Sequence, residues 1–385
     1  MFKIFRSKNH QNLKIKSKKN FTKLVIYSEI SWEFLDQRHH HLARYFAEQG
    51  TKVEFVQRVF SRTPSIKFLI KKILSDASSL KKAEKKSIHS NIYLRRSFFL
   101  PNTNPFFVFY NYMLWIFFER YKQKDACVYS FVDNNIIAGG SLKLISKYSF
   151  SVFDIIHNWW EYPWNSERHK VLVQKCLDTF DKIVTDSPAI QKKLNKQDIQ
   201  SHLMLPAVSM HWFDVKTNFN PKEIKPVFFG NLRTNSDINL INAFSKISPV
   251  DLYGLIDSEI TNLDTSANIM GVISSENLPL TLSKYNLILL PYDNRSFSAS
   301  ISPAKYFESM STGSLIVTRA NFEPLPGFND YCLKLDEDML IKLNENKILE
   351  SLSNHHKAFQ KQREFSMNHC WNTRFDNLRL FLDIK

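Results

Sequence analysis

The sequence predicts an α/β protein built from two parallel-sheet domains. Two series of strand–helix–strand units run along its 385 residues. A proline-marked, aperiodic stretch at 206–225 separates them, and several of the short apolar runs end in Gly or Pro, as strands do where they meet a turn. The length suffices for two hydrophobic cores.

The elements follow in order. Residues 1–20 are expected to form a basic tail without the apolar run of a signal peptide. Residues 23–28 (KLVIYS) read as a buried strand. Residues 37–49 read as a helix with Leu42, Tyr45 and Phe46 on one face, closed by Gly50, and 52–57 (KVEFVQ) as the next strand. Further strands are expected at 126–131, 151–156 and 182–185, with helices at 172–180 and 187–194. Ser187 caps the last of these, with Pro188 at its first position. This first domain covers 21–205. The second covers 226–360. It has strands at 227–229, 250–253, 287–290 and 315–317, the first two ending in Gly230 and Gly254. Its helices lie at 238–244, 278–283 and 304–312, the last closed by Gly313. Residues 361–385 are expected to form a helix that crosses back to the first domain.

Composition narrows the function. The net charge is +15, and it is uneven: residues 1–96 carry 22 Lys and Arg against 7 Asp and Glu, whereas the remainder carries 30 of each. Lysine clusters at 14–19 and 81–86 suit an anionic lipid surface. Nucleic acid is the rival partner, but no motif for it is present and the charge avoids the second half. Four scattered cysteines give neither a disulfide framework nor a zinc knuckle and point to a reducing compartment. The apolar run 105–118 is shorter than the roughly 20 residues of a membrane span. It is expected to form a buried helix or one lying on a membrane surface.

The most informative stretch is 289–318 (LLPYDNRSFSASISPAKYFESMSTGSLIVT). A buried strand ends, a polar loop follows, and Ser302-Pro303 opens a helix. The first turn of a helix offers free N–H groups and a positive dipole end, which together attract phosphate. Lys305 adds a cation in that turn. Glu308, three residues on, lies on the same side and suits the hydroxyls of a ribose.

Residues 228–318 resemble the donor half of GT-B glycosyltransferases. The likeness rests on FFGNLRTNSD, DLYG, NIMGVI, a Leu-Pro helix start and S-P-x-K-x-x-E-x-x-x-x-G, in order over about 90 residues. It is nearest to the surface-polysaccharide type, similar to xanthan glucuronosyltransferase and teichuronic-acid transferases. The resemblance implies two Rossmann-like domains facing a central cleft and a UDP-sugar bound without metal or other cofactor. Gly230, Asn231 and Arg233 would approach the diphosphate, and Gly271, Val272 and Ile273 the nucleobase. Tyr292 belongs to the same donor set. Ser302 and Lys305 would hold the phosphates and Glu308 the ribose. Position 300 is Ser where retaining members carry a first glutamate.

In the first domain, residues 32–44 (WEFLDQRHHHLAR) resemble the first loop and helix of the same enzymes, so Gln37 and Arg38 are expected on the acceptor side, with Arg38 facing a phosphate. Consecutive histidines 39–41 point about 100° apart on a helix and do not converge on a metal. Residues 151–164 (SVFDIIHNWWEYPW) supply the candidate bases His157, Asp154 and Glu161. His157 titrates closest to neutrality when unperturbed, and Trp159-Trp160 offer stacking surfaces. The expected function is transfer of a sugar from a nucleoside diphosphate sugar to a lipid-linked or glycan acceptor of capsule, O-antigen or exopolysaccharide. Such an enzyme would be cytoplasmic and peripheral on the inner face of the plasma membrane. A sugar-nucleotide epimerase of the same fold and a basic nucleic-acid- or glycan-binding protein without catalysis are the alternatives.

Overall fold

The computed structural model describes residues 21–33, 36–57, 89–96, 105–114, 123–131, 148–156, 158, 160, 167–217, 219–292, 300–320, 322 and 325–384. The first domain runs β1 (Lys23–Tyr27), α1 (Arg38–Glu48), β2 (Lys52–Gln57), β3 (Ile92–Arg96), α2 (Pro105–Leu114), β4 (Gln123–Ser130), β5 (Tyr148–Ile155), α3 (Glu167–Thr179), β6 (Lys182–Thr185), α4 (Pro188–Asn195) and β7 (Ser201–Leu203). Its seven strands pair in parallel in the order β3-β2-β1-β4-β5-β6-β7. Side chains alternate along each strand and feed a core on either face. Val25, Tyr27, Val128, Phe153 and Ile155 pack on one side, and Leu24, Ile26, Cys127, Tyr129 and Val152 on the other.

The second domain runs β8 (Pro226–Phe229), α5 (Ile238–Ser245), β9 (Asp251–Tyr253), β10 (Asn268–Gly271), α6 (Leu278–Leu282), β11 (Leu287–Leu290), α7 (Ala304–Thr312), β12 (Leu315–Thr318), α8 (Phe328–Tyr331), β13 (Cys332–Lys334), α9 (Glu337–Ile341), α10 (Glu345–His356) and α11 (Phe359–Met367). Six parallel strands follow the order β10-β9-β8-β11-β12-β13. In each sheet the strand order reverses direction beside the first strand. That reversal opens a crevice at the carboxyl ends, where α/β sheets bind ligands.

The carboxy-terminal segment crosses later than its periodicity suggests. Helix α11 still belongs to the second domain: Phe359 packs in its core, and Gln362 donates to the carbonyls of Met310 and Ser314 (3.3 and 3.1 Å). The chain turns at 368–370, where Val208 and Cys370 bridge in parallel and the Trp371 N–H donates to the Val208 carbonyl (3.1 Å). Only then does α12 (Trp371–Phe381) place Trp371, Phe375, Leu378 and Leu382 in the first domain's core.

Two expectations change on contact with the fold. Helix α2 is not a buried helix: Phe106, Phe109 and Tyr112 are exposed at three-residue spacing, whereas Asn111 is buried. No helix among the described residues is long and apolar enough to cross a membrane. Strands β3, β7, β10 and β13 have no counterpart among the expected strands, because they are short, end their sheets and carry few buried apolar residues.

Candidate functional site

Three glycines end three neighbouring strands. Gly230, Gly254 and Gly271 follow or close β8, β9 and β10, all with positive φ (107°, 136° and 79°). They are stitched in a row: Gly230 N–H donates to the Tyr253 carbonyl (2.7 Å) and Gly254 N–H to the Gly271 carbonyl (2.8 Å). A Cβ at Gly254 would lie 2.2 Å from the Gly230 carbonyl oxygen, so the close approach of these two strand ends requires glycine. A Cβ at Gly230 would lie 2.1 Å from Lys305 Cε and 2.7 Å from its Nζ. The Lys305 ammonium therefore lies over the bare backbone at the end of β8.

Lys305 reaches that point from the first turn of α7. The cap of this helix is Pro303, one residue later than the Ser-Pro pattern suggests, and Gly313 ends it in the left-handed conformation (φ 79°). Tyr306 N–H donates to the Pro303 carbonyl (3.1 Å). The amides of Ala304 and Lys305 precede it in the first turn, which has no intrahelical acceptor to offer them. The Ser302 hydroxyl is released from capping and is buried without a hydrogen-bond partner. Glu308 is half-buried and, among the described residues, has neither a hydrogen bond nor an ion pair at its carboxylate. Burial pushes its carboxyl above the ordinary value, and Lys305 opposes the shift. The Lys305 ammonium thus overhangs strand ends that carry no side chains, and the same helix start brings free amides, the Ser302 hydroxyl and, one turn on, Glu308. That chemistry fits an anion flanked by hydroxyl groups.

The other expected donor residues frame this point. Asn231 and Arg233 are exposed in the loop after β8, where the Arg233 N–H donates to Ser236 Oγ (3.1 Å). Val272 and Ile273 follow β10, Val272 exposed and Ile273 half-buried. Tyr292 bridges to Ser236 and packs edge-on against Phe322 (5.4 Å). Beside this loop opens a cavity of about 530 Å3 lined by Asn235, Asp237, Glu259, Asn262 and Arg319, and none of the expected donor residues lines it. Arg319 is a residue the sequence pattern did not single out. It follows β12 and pairs with Asp237, which caps α5 (3.1 Å), and with Glu337. Its task is to hold the loop.

The first domain presents a different picture. Arg38, expected to face an acceptor phosphate, is buried and engaged. Its Nε and Nη2 donate to the two oxygens of Asp154 (2.9 Å each), and Nη1 donates to the Met204 carbonyl (2.5 Å). Tyr129 donates its hydroxyl to Asp154 as well (2.7 Å). Burial works against the Arg38 charge, and Asp154 with its neighbours outweighs it, so the guanidinium stays protonated. Asp154 has no exposed surface. Its contacts give it a structural part, holding α1 to the ends of β4 and β5, rather than the part of an acceptor-side base. Gln37, by contrast, stays exposed at the start of α1. His157 and Glu161 lie outside the described residues, as does Trp159. Trp160 packs against the core with the Lys193 ammonium over its ring (4.7 Å). The three histidine rings diverge: His39 bonds Ser28 Oγ (2.7 Å), His40 bonds the Ser31 carbonyl (3.1 Å), and His41 stacks on Trp371.

The two domains touch through Ser300. Asn158 Nδ2 donates to Ser300 Oγ (3.0 Å), and Ser187 Oγ donates to the Ser300 carbonyl (2.5 Å). The Ser187 hydroxyl, expected to cap α4, makes no cap bond and instead reaches the segment that leads into α7.

This architecture recurs in solved structures. Sucrose-phosphate synthase from Thermosynechococcus elongatus aligns over 93% of this chain and 98% of its own, with a TM-score of 0.66 and 12% identity. HepE of Anabaena, solved with UDP and glucose, aligns over 93% and 99%, with a TM-score of 0.60 and 12% identity. WaaG, a glycosyltransferase involved in lipopolysaccharide biosynthesis, aligns over 93% and 98%, with a TM-score of 0.59 and 10% identity. The chain has the GT-B fold. No family profile and no curated protein sequence matches it. In this GT-B chain the strand-end glycines and the start of α7 belong to the second domain, and Ser300 meets Asn158 and Ser187 of the first. The unpaired cluster thus lies on the segment by which the second domain meets the first, whereas the Arg38–Asp154 network is buried within the first domain.

Proposed function

We propose that the protein is a glycosyltransferase that moves a sugar from a nucleoside diphosphate sugar to an acceptor hydroxyl. The single observation that carries this is the placement of the Lys305 ammonium over the side-chain-free end of β8, from a helix start that also brings the unpaired Ser302 hydroxyl and the Glu308 carboxylate. As the bond to the anomeric carbon loosens, negative charge grows on the departing diphosphate. Lys305 and the amides that open α7 stabilise that charge where it develops, and the reaction we propose is metal-independent. Glu308 accepts the ribose hydroxyls, which repairs the isolation of a half-buried carboxylate. Uridine diphosphate is the carrier we favour, supported by the UDP-bound HepE structures that share the fold.

For the acceptor we propose a lipid-linked or polysaccharide chain of a cell-surface glycan, as in the surface-polysaccharide transferases that the donor motifs resemble. The exposed Phe106, Phe109 and Tyr112 stripe, together with the basic character of residues 1–96, supports peripheral attachment at the inner, anionic face of the plasma membrane. The test is a thermal-shift screen of UDP-, GDP- and dTDP-sugars beside oligonucleotides. UDP-sugars are expected to raise the melting temperature and oligonucleotides to leave it unchanged; oligonucleotide binding with no response to any nucleotide sugar would overturn the proposal.

A further inference from the structure

One carboxylate of the first domain differs from Asp154 in what holds it: Asp154 is gripped by Arg38 and Tyr129 and has no exposed surface, whereas Asp186 is half-buried and bonded by no other side chain among the described residues. Asp186 follows β6 at its carboxyl end, and its N–H donates to the Ile155 carbonyl (3.3 Å), which fixes it between the ends of β5 and β6. The next residue, Ser187, donates across the crevice to the Ser300 carbonyl (2.5 Å), two residues before Ser302. Asp186 therefore stands where the first domain meets the segment that leads to the proposed diphosphate site. It is half-buried, and among the described residues its carboxylate is supported by its own backbone N–H but bonded by no other side chain.

The charged groups that act on it come from two elements. Arg38 from α1 attracts its anion and Asp154 from β5 repels it; His202 on β7 and Arg374 on α12 in turn feel the Arg38 charge. Burial pushes the Asp186 carboxyl up, Arg38 pulls it down, Asp154 pushes it up again and its own backbone N–H draws it down, leaving it raised to about 7. A group poised near neutrality is at its most effective in general base catalysis. Asp154, locked by Arg38 and Tyr129, has no such freedom. Ser300, at the position of the first glutamate of retaining members, carries no carboxylate and is held by Asn158 and Ser187. That leaves the second domain without a carboxylate there to attend a retained anomeric centre.

We propose that Asp186 is the catalytic base, taking the proton of the acceptor hydroxyl across the crevice as that oxygen attacks the anomeric carbon; this rests on the glycosyltransferase reading. The oxygen–carbon bond to the acceptor forms while the bond from the anomeric carbon to the diphosphate oxygen breaks. The electron pair leaves with the diphosphate at Ser302 and Lys305, the proton ends on Asp186, and the configuration of the sugar inverts.

The experiment compares Asp186→Asn and Asp186→Glu with the parent chain in three measurements. These are UDP release from UDP-hexoses with water as acceptor over pH 5.5–9, calorimetric affinity for UDP, and melting temperature across the same pH range. The Asn variant is expected to lose about 10²- to 10⁴-fold in turnover while binding UDP within about twofold of the parent. The parent rate rises through about pH 7; the Asn variant loses that limb and the Glu variant restores part of it. Melting needs no acceptor and supplies an independent readout. Because the folded carboxyl titrates above the ordinary carboxylate range, the parent loses stability as pH rises from about 4 to about 7, whereas the Asn variant escapes that loss and melts higher at pH 8. An Asn variant with parental turnover and an intact limb, or one that melts lower at pH 8 because the carboxylate was a structural partner, would overturn the assignment. Failure of the parent itself to bind UDP or any nucleotide sugar would bring down the glycosyltransferase reading and this proposal together. Parental UDP binding with parental turnover in the Asn variant sinks Asp186 alone.

Discussion

Two clusters at the carboxyl ends of the sheets, Arg38–Asp154 in the first and Ser302–Lys305–Glu308 in the second, are in opposite electrostatic states. At the ends of β4 and β5 the charges answer one another: Arg38 grips both oxygens of Asp154, Tyr129 adds a third bond, and Met204 takes the remaining arm. At the second sheet they do not: Ser302 is buried without a partner, Glu308 has none among the described residues, and Lys305 overhangs a glycine backbone. Buried polar groups in folded proteins are nearly always satisfied. A network closed on itself holds the fold, whereas a cluster left open on a strand end holds something else. The two Ser-Pro helix starts repeat the contrast. Ser187 has its hydroxyl bonded across the domain boundary, and Ser302 has its hydroxyl waiting.

The contrast is sharpest if its two halves are broken separately. Arg38→Ala leaves the Asp154 carboxylate buried without its counter-charge. We expect a stability loss of about 3–5 kcal/mol in chemical denaturation with UDP affinity unchanged in the folded fraction. A large loss of UDP affinity would mean that Arg38 touches ligand after all. Next in size is Gly254→Ala. Its φ of 136° suits glycine, and the added carbon meets a carbonyl rather than a flexible side-chain end. The conformational strain alone costs about 1–3 kcal/mol, and displacement of Gly230 is expected to weaken UDP as well; wild-type melting and wild-type affinity together would show that the strand ends need not approach so closely. The smallest effect belongs to Glu308→Gln. A raised carboxyl means that the folded protein favours the protonated form, so stability falls as pH rises from the unfolded value of about 4.3 through the higher folded value. The Gln variant is expected to escape that loss and melt slightly higher at pH 7, yet bind UDP about tenfold more weakly. A variant that melts lower and binds UDP normally would place Glu308 with the structural charges of the first domain.

Much of this was legible in the sequence where the signal is local. Gly313 closes α7 in the left-handed conformation that its pattern demands, and Lys305 and Glu308 share a helix face because three residues make most of a turn. Long-range partners are not written locally. Nothing near Arg38 announces that Asp154, 116 residues away, takes its charge, or that Ser187 prefers Ser300 to its own helix. Residues 105–118 are apolar but for Asn111, and so apolar a stretch does not say which side is covered; the fold turns Phe106 and Phe109 outward and buries Asn111. Asp186 escaped notice because a lone Asp before a Ser-Pro cap reads as ordinary turn chemistry, and only the strand ends around it make it unusual.

The central claim is that the open cluster on the second sheet is the seat of a nucleotide's diphosphate. Calorimetric titration of UDP into the parent chain and into Lys305→Ala tests it most directly. Saturable one-to-one binding to the parent is expected, weakened about 10- to 100-fold by the substitution, with the melting temperature of the unliganded protein essentially unchanged. Equal UDP affinity in the two proteins would contradict it.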